Sequence, residues 1–203
     1  MEQNENTEMK ILEAANEVFK EKGYDGTSMQ EIADKAGVNK SMLHYYYRSK
    51  DKLFHKVFQS IFSKFVSATA GIFSQDLDIL EKIRLFIDTH IDFLMRNPDM
   101  PAFIIHEIRR NPELIADVFK SQGQENLVSS FFNSLQEAVK EGKINPVDPV
   151  QLLMNIISMN LFPFAAKNIV TSVFQVTDDQ FTILMNQRKS EIFNMVKIML
   201  ENK

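Results

Sequence analysis

The sequence contains no cysteine, and only six glycines and six prolines occur in its 203 residues. The absence of cysteine excludes disulfide bonds, thiol catalysis and zinc sites with cysteine ligands, and it fits a reducing cytoplasm. The scarcity of glycine and proline favours long helices joined by short connections. The apolar share of 44% and the charged share of 25% are ordinary for a soluble folded chain.

Long hydrophobic runs are also absent. The most apolar stretch, LLMNIISMNLFPFAA, is interrupted by Asn155, Ser158 and Asn160, and no run reaches the roughly 18 residues of a membrane span. The N-terminal residues MEQNENTEMK are polar and acidic, unlike a secretory signal. We therefore expect a cytoplasmic protein that has no membrane partner.

The motifs of common enzymes and metal sites are missing as well. The sequence has no Glu-x-x-His pair of the kind that di-iron bundles use, no Gly-x-Ser-x-Gly and no glycine-rich phosphate loop. His90 and His106 have no second ligand three or four residues away on the same helix face. We expect no enzyme, no catalytic or metal site and no cofactor.

The segment that carries most information is TSMQEIADKAGVNKSMLHYYYRSKDK, residues 27–52. It has the pattern of two short helices joined by a tight turn. Thr27 and Ser28 each begin a capping box, Gly37 can end the first helix in a left-handed conformation, and Asn39 can cap the second.

The apolar residues of this segment have the spacing of a helix-turn-helix. Ala33 is small enough to let two helices cross closely, and Val38 and Leu43 bury the contact between them. The side chains left on the outer face of the second helix are Lys40, Ser41, Met42, His44 and Tyr45.

The TetR family of bacterial transcription regulators has a DNA-binding domain that resembles residues 11–54, ILEAANEVFKEKGYDGTSMQEIADKAGVNKSMLHYYYRSKDKLF. The similar features are an amphipathic helix ending in Lys-Gly-Tyr, the Thr-Ser helix start, Ile-Ala-x-x-Ala-Gly-Val, Leu-His-Tyr-Tyr-Tyr and Ser-Lys-Asp-Lys-Leu-Phe. Several segments agree in order and spacing, so the resemblance is specific. It departs from the family at His44, where Tyr or Phe is frequent.

The resemblance implies an all-α fold of nine helices in two domains: a three-helix DNA-binding head, residues 1–48, and a helical ligand-binding and dimerisation domain, residues 49–203. Residues 1–7 are expected to be disordered. Apolar periodicity and cap signals predict the helices, the fourth of which is expected to link the two domains. Their approximate ranges are 8–22, 28–36, 40–47, 49–73, 78–96, 100–110, 111–142 with an interruption at Gly123, 149–170 with a kink at Pro163, and 178–200.

The predicted DNA-binding residues lie in the motif and just after it. Tyr45 and Tyr46 are expected to point outward, where a phenol can bond a phosphate or pack on a thymine methyl. The resemblance implies that Tyr47 turns inward, because its family counterpart is an apolar aromatic. Residues 27–56 contain six basic and three acidic side chains, although the whole chain has a net charge of −4. Lys50 resembles the phosphate-binding lysine of the family. The full predicted set is Thr27, Ser28, Asn39, Lys40, Ser41, Met42, His44, Tyr45, Tyr46 and Lys50.

The second domain is rich in Phe and Met at helical spacing, which indicates core packing first of all. The resemblance also implies an effector cavity among its helices. The predicted lining residues are Phe62, Phe65, His90, Phe93, Phe103, Asn155 and Met159. If Asn155 is buried it needs a partner, which a ligand, a second subunit or a water could supply.

The last predicted helix has more apolar residues than one buried side of a terminal helix needs. The predicted dimer contacts are Phe181, Leu184, Ile192, Met195 and Met199. The resemblance implies a repressor that binds palindromic operator DNA as a homodimer and is released by a small hydrophobic effector. The alternative is a helical carrier or structural protein with a vestigial head; the basic segment with its outward tyrosines argues against it.

Overall fold

The computed structural model of this protein describes residues 2–98, 100–101, 105, 113 and 125–201. Nine helices and no strand occur in the described residues, which confirms the predicted all-α class. The helices are α1 Glu2–Lys22, α2 Met29–Ala36, α3 Lys40–Tyr46, α4 Lys50–Phe73, α5 Ile79–Arg96, α6 Glu125–Lys140, α7 Pro149–Ala165, α8 Lys167–Phe174 and α9 Asp178–Leu200.

Helix α1 begins earlier than predicted. It starts at Glu2, so the prediction of disorder in residues 1–7 is wrong from residue 2 onward. Once a helix has nucleated, extending it by one residue orders only that residue and adds one backbone hydrogen bond. The segment EQNENT has neither proline nor glycine to stop it. A polar composition alone therefore does not end this helix.

The turn between α2 and α3 has the geometry that its sequence predicts. Gly37 has a φ of 67°, and the N–H of Val38 donates to the carbonyl of Ala33 at 3.0 Å. This is the glycine-terminated helix end that requires a left-handed residue. Asn39 then caps α3, because its Oδ1 accepts a hydrogen bond from the N–H of Met42 at 2.7 Å.

The chain divides into two compact units, residues 1–63 and 64–203, and the division falls within α4. In the first unit α1 packs on α2, and α2 packs on α3. The first half of α4 also contributes to its core, where the ring of Phe54 meets Phe19 edge-on at 4.6 Å. The boundary predicted at the start of α4 thus shifts into the helix, because the small head needs these apolar side chains to complete its core.

The second unit has one core among the end of α4 and helices α5, α6, α7 and α9. Helix α5 packs on both α7 and α9. Asp78, Asp148 and Thr177 cap α5, α7 and α9, close to the predicted helix starts, and Gly142, with a φ of 70°, follows the end of α6. The largest fully buried side chains of this core are Ile83, Ile87, Ile91, Leu94, Phe131, Leu135 and Ile144.

Residues 149–170, predicted as one kinked helix, form two helices that meet at Ala166 with a bend of 67°. Pro163 has no N–H, so the carbonyl of Met159 loses its usual helical partner. Arg188 of α9 replaces that partner, with Nε 3.0 Å from the carbonyl oxygen. Burial lowers the pKa of Arg188 below its ordinary value. The chain therefore bends just after the proline, and α9 satisfies the exposed backbone group.

Two parts of the sequence prediction fall mostly outside the described residues. These are the helix expected at 100–110 and the beginning of the next helix, including Asn111, Pro112 and Gly123. The described part of that second helix is α6.

Among the described residues, no individual helix combines the length and apolar character needed to cross a bilayer. The bent pair of α7 and α8 meets both criteria only when its two helices are taken together.

Gly37 and Gly71 form a matched pair for testing the turn. A Cβ at either position would meet no atom within 4 Å, but only Gly37 has a positive φ. We expect Gly37→Ala to lower the free energy of unfolding by about 1 kcal/mol, because alanine is strained in the left-handed region. Gly71→Ala, inside α4, should raise it by about 0.5–1 kcal/mol. Chemical denaturation measures both; equal effects of the two changes would contradict the assigned role of Gly37.

Candidate DNA-binding and effector sites

Helix α3 presents one exposed polar and aromatic face. Leu43 is fully buried and Tyr47 nearly so, which fixes the opposite face of the helix against the first unit. The inward orientation predicted for Tyr47 is confirmed. The outer side chains of α3 predicted to bind DNA are exposed, Tyr45 to 78%, except for Tyr46, which is half-buried. The exposed members are Asn39, Lys40, Ser41, Met42, His44 and Tyr45.

Tyr47 connects the end of α3 to α1. Its hydroxyl donates to the carboxylate of Glu8 at 3.0 Å. Burial, with the neighbouring carboxylate, raises the pKa of this phenol well above its ordinary value. Tyr47 therefore remains a neutral hydrogen-bond donor that attaches the recognition helix to the body of its unit.

Thr27 does not lie where a phosphate contact needs it. Its side chain is buried, and its hydroxyl donates to the carbonyl of Gly23 at 2.6 Å. The backbone N–H of Thr27 donates to the carbonyl of Tyr24 at 3.3 Å. The prediction of a phosphate contact by the Thr27 side chain is thus corrected, because closing the turn before α2 already uses that hydroxyl.

Ser28 is exposed at the beginning of α2, but the carboxylate of Glu31 already occupies its hydrogen-bond donors. Glu31 accepts from the Ser28 N–H at 3.0 Å and from its hydroxyl at 2.9 Å. A hydrogen bond from Lys22, together with those from Ser28, lowers the pKa of Glu31 to about 2. Glu31 is therefore ionised at neutral pH, and a phosphate that approaches Ser28 must do so beside a negative charge.

Lys50 lies at the beginning of α4 and holds the turn between α1 and α2. Its Nζ donates to the carbonyls of Tyr24 at 2.8 Å and Thr27 at 3.0 Å. The same ammonium lies 4.3 Å from the centre of the Tyr24 ring, a cation–π contact. The Tyr24 hydroxyl donates to Asp51. An ammonium has three N–H donors, so two of them serve the fold and the third can serve a phosphate.

In the second unit the structure brings together three of the predicted effector residues. The ring of Phe65 lies 5.0 Å from His90 and 4.6 Å from Phe93, measured between ring centres. Phe62 belongs to the first unit and stacks on Phe58 at 5.3 Å. Phe103 lies outside the described residues.

Asn155 is not a buried polar group. It lies on the exposed side of α7, so the prediction that it lines an interior site of this subunit is corrected. The buried asparagine of that helix is Asn160, which shares a face with Leu152 and Ile156. Its spacing of four residues from Ile156 places it on that face, but the spacing alone does not show which face of this apolar helix is buried. The side chain of Met159 is half-buried at the edge of the core.

Asn160 and His90 form a buried polar pair between α7 and α5. Asn160 Nδ2 is 3.2 Å from His90 Nδ1, and both side chains are almost completely inaccessible to solvent. Burial lowers the pKa of His90 to about 4. The imidazole is therefore neutral near pH 7, and in this arrangement its Nδ1 accepts the hydrogen bond.

The residues predicted for dimer contacts separate into two groups on α9. Phe181 and Ile192 are buried in the core of their own subunit, so their assignment to an intersubunit contact is corrected. Leu184, Met195 and Met199 are exposed. The large exposed apolar side chains of the last three helices are Val150, Met154, Ile157 and Phe162 on α7, Ile169, Val173 and Phe174 on α8, and Ile183, Leu184, Met195, Ile198 and Met199 on α9.

A helix-turn-helix whose second helix projects a polar face is the defining feature of a class of DNA-binding proteins. The family model for bacterial regulatory proteins of the tetR family matches residues 11–57. A second model, the tetracyclin repressor-like C-terminal domain, matches residues 80–196, which is more than half of the chain. The chain therefore belongs to the TetR family of bacterial transcriptional regulators, whose members are DNA-binding regulators rather than enzymes.

Among its relatives, the HTH-type transcriptional regulator RutR of Escherichia coli K12 is 29% identical over 146 residues, which is 72% of this chain and 68% of RutR. A TetR-family regulator from Mesorhizobium loti has a similar structure, with a TM-score of 0.69, 22% identity and 98% of each chain covered. FadR of Bacillus subtilis, solved in complex with stearoyl-CoA, gives a TM-score of 0.64 at 19% identity, covering 91% of this chain and 97% of FadR. At these identities the structural likeness establishes the fold.

Lys50→Met should have two effects, because Lys50 both holds a turn and is predicted to neutralise a phosphate. We expect the free energy of unfolding to fall by about 1–3 kcal/mol, since two backbone carbonyls lose a charged donor. The log–log salt slope of DNA binding should become shallower by about one unit per subunit. Lys52→Met is the control, because it removes the same charge from an exposed residue two positions along α4. If both variants are equally stable, the turn does not depend on Lys50.

His90 makes stability depend on pH in a predictable direction. The pKa of His90 is about 4 in the folded protein and about 6.5 when unfolded, so the unfolded chain binds the proton first as the pH falls. Stability should therefore decrease between about pH 6.5 and pH 4, by about 3 kcal/mol in total. Urea denaturation at neutral and acidic pH measures this. His90→Gln should remove that part of the decrease, while His44→Gln, at an exposed position, should retain it.

Proposed function

We propose that this protein is a ligand-responsive transcriptional repressor that binds an inverted-repeat operator as a homodimer and is released by a small hydrophobic effector. The observation that carries this proposal is the exposed face of α3, held from behind by the buried Leu43 and Tyr47. A short helix fixed in this way fits the major groove, which admits one α-helix and displays a different donor and acceptor pattern for each base pair.

The side chains on that face are suited to two kinds of DNA contact. Lys40 and His44 lie four residues apart on one side of α3, so both can reach base edges in one groove. Tyr45 and the remaining N–H of Lys50 are suited to phosphates, which fix the position of the helix on the duplex. Glu31 limits the positive charge nearby, so we expect modest affinity for non-specific DNA.

The exposed apolar side chains of α7, α8 and α9 support homodimerisation. Monomeric proteins rarely expose this many large apolar residues on neighbouring helices. Leu184, Met195 and Met199 are the members on α9 that the sequence also predicts. A two-fold dimer would present two α3 helices to half-sites about one turn apart on a palindrome.

Effector control is proposed to act through α4, because this helix begins in the first unit and ends in the second. An effector that binds the second unit better in one α4 position than in another shifts the population toward that position. Phe65 of α4 contacts His90 and Phe93 of α5. These contacts are where an effector could alter the helix. FadR, a structural neighbour, was solved in complex with stearoyl-CoA, which shows that a protein with this fold can bind a small molecule.

A gel-shift assay with the DNA upstream of the protein's own gene tests the DNA-binding part of the proposal. We expect one saturable complex that survives excess non-specific DNA, and reduced transcription from that DNA in a purified system when the protein is added. Increased transcription would contradict repression but not operator binding. The absence of any specific complex there or on genomic fragments would contradict both.

Lys40→Ala and His44→Ala should change sequence preference rather than affinity alone. A good base contact contributes roughly 1–3 kcal/mol of discrimination at its own base pair. We expect each variant to lose that discrimination at a few operator positions, measured by competition with singly substituted operators. Lys20→Ala, which removes a charge at an exposed position of α1 outside the predicted DNA-binding set, is the control. A uniform loss across all substitutions would limit Lys40 and His44 to backbone contacts.

Met195→Asp should produce monomers and abolish operator binding together, because a carboxylate cannot be buried in an apolar interface without a partner. Light scattering and gel shift measure the two effects. Asn186→Asp places the same charge at an exposed position on the other side of α9, and it should leave both unchanged. A dimer that survives Met195→Asp would locate the interface elsewhere.

A further inference from the structure

The buried polar groups of the second unit are not all satisfied. Three polar side chains are buried among its described residues: Thr69, His90 and Asn160. Thr69 donates to the carbonyls of Phe65 and Val66, both at 3.0 Å. Asn160 Nδ2 donates a hydrogen bond to His90 Nδ1. Asn160 Oδ1, however, is buried and has no hydrogen-bond partner among the described residues. A buried acceptor without a donor is costly, so proteins rarely retain one.

Rotating the side-chain amide of Asn160 by 180° still leaves one buried polar atom without a partner. If the oxygen and nitrogen of Asn160 exchange places, Oδ1 accepts from a protonated Nδ1 of His90, and Nδ2 becomes the group without a partner. The arrangement in the structure has Nδ2 facing His90, which leaves an acceptor unpaired. One further group is therefore needed to complete the pair, and here it must be a donor.

The surroundings determine what kind of donor fits. The rings of Phe65 and Phe86 lie 5.0 Å and 5.9 Å from the imidazole of His90. Ile156 and Phe164, on the same face of α7 as Asn160, are buried as well. Asp92 of α5 is already paired with Lys189 of α9, at 2.6 Å. An ammonium group would lose its hydration here without gaining a counter-charge, whereas a neutral hydroxyl or N–H would not.

From this geometry we propose that Asn160 Oδ1 is the acceptor for the effector, and that the effector is an uncharged, largely apolar molecule that donates one O–H or N–H hydrogen bond to it. This inference rests on the effector binding proposed for the second unit and names its chemistry. Asn160 acts as the specificity-determining residue. His90 acts as a positioning residue, because it holds the amide with its oxygen toward the ligand.

Matched pairs of small neutral probes test the inference on the full-length protein. The probes are indole with 1-methylindole, and phenol with anisole; within each pair only the first can donate a hydrogen bond. Binding is measured by the probe-dependent rise in melting temperature and by the probe concentration that releases operator DNA. We expect each donor to bind about fivefold or more tightly than its methylated counterpart, the increment of one rescued buried acceptor.

Asn160→Leu removes the acceptor at nearly constant volume and should abolish the preference for donors. Asn160→Ser shortens the side chain and provides the same readout if the leucine variant does not fold, as judged by circular dichroism. Thr69→Val is the control, because it removes a buried polar group whose hydroxyl is already satisfied within α4. It should keep the preference for donors.

The inference is overturned if no probe stabilises the protein, if methylated probes bind as well as donors, or if the preference survives in both Asn160 variants. Operator binding without any probe separates this result from the proposed function. A protein that binds operator DNA but shows no donor preference contradicts only the effector chemistry. A protein that binds no specific DNA contradicts the proposed function itself, while a donor preference that Asn160→Leu removes would still support the binding site.

Discussion

The contact between Lys50 and the turn that precedes α2 is the interaction on which the DNA-binding unit depends. A unit of this size has a small core, so burial alone leaves its turns weakly determined. The ammonium of Lys50 joins the carbonyls of Tyr24 and Thr27 to the first turn of α4. It thereby fixes where α2 begins, and the buried contacts of Ala33 and Leu43 then determine where α3 lies. The recognition face is a consequence of this chain of contacts.

Helix α4 extends this dependence beyond the first unit. Its N-terminal half is part of the head, and its C-terminal residues Ile72 and Phe73 are buried in the core of the second unit. Phe65, on the part that belongs to the second unit, contacts the buried His90. One continuous helix thus contains residues of both proposed sites. This continuity is the physical basis for the proposal that an effector in one unit alters DNA binding by the other.

The parts of the fold that follow local rules could be predicted from the sequence. The capping box at Ser28, the cap at Asn39 and the left-handed Gly37 depend only on residues a few positions away. The spacing of Ala33, Val38 and Leu43 also located the exposed face of α3. These features need no knowledge of how distant helices are rotated about their own axes.

Features that depend on such rotation could not be predicted. Asn155 and Asn160 lie on one apolar helix, and only the packing of α7 on α5 decides that Asn160 is the buried one. Helix α9 is apolar on two sides, so the sequence did not separate the core residues Phe181 and Ile192 from the exposed Leu184 and Met195. Thr27 was equally ambiguous, because a helix-start threonine can face either solvent or the preceding turn.

The central claim is that a dimer of this protein reads DNA through two copies of α3. The most direct test is selection of bound sequences from random double-stranded DNA by the purified full-length protein, followed by sequencing. The account predicts an inverted repeat whose half-sites are centred about one helical turn, or a small multiple of it, apart. Enrichment of a single asymmetric site, or no enrichment over the starting pool, would contradict it.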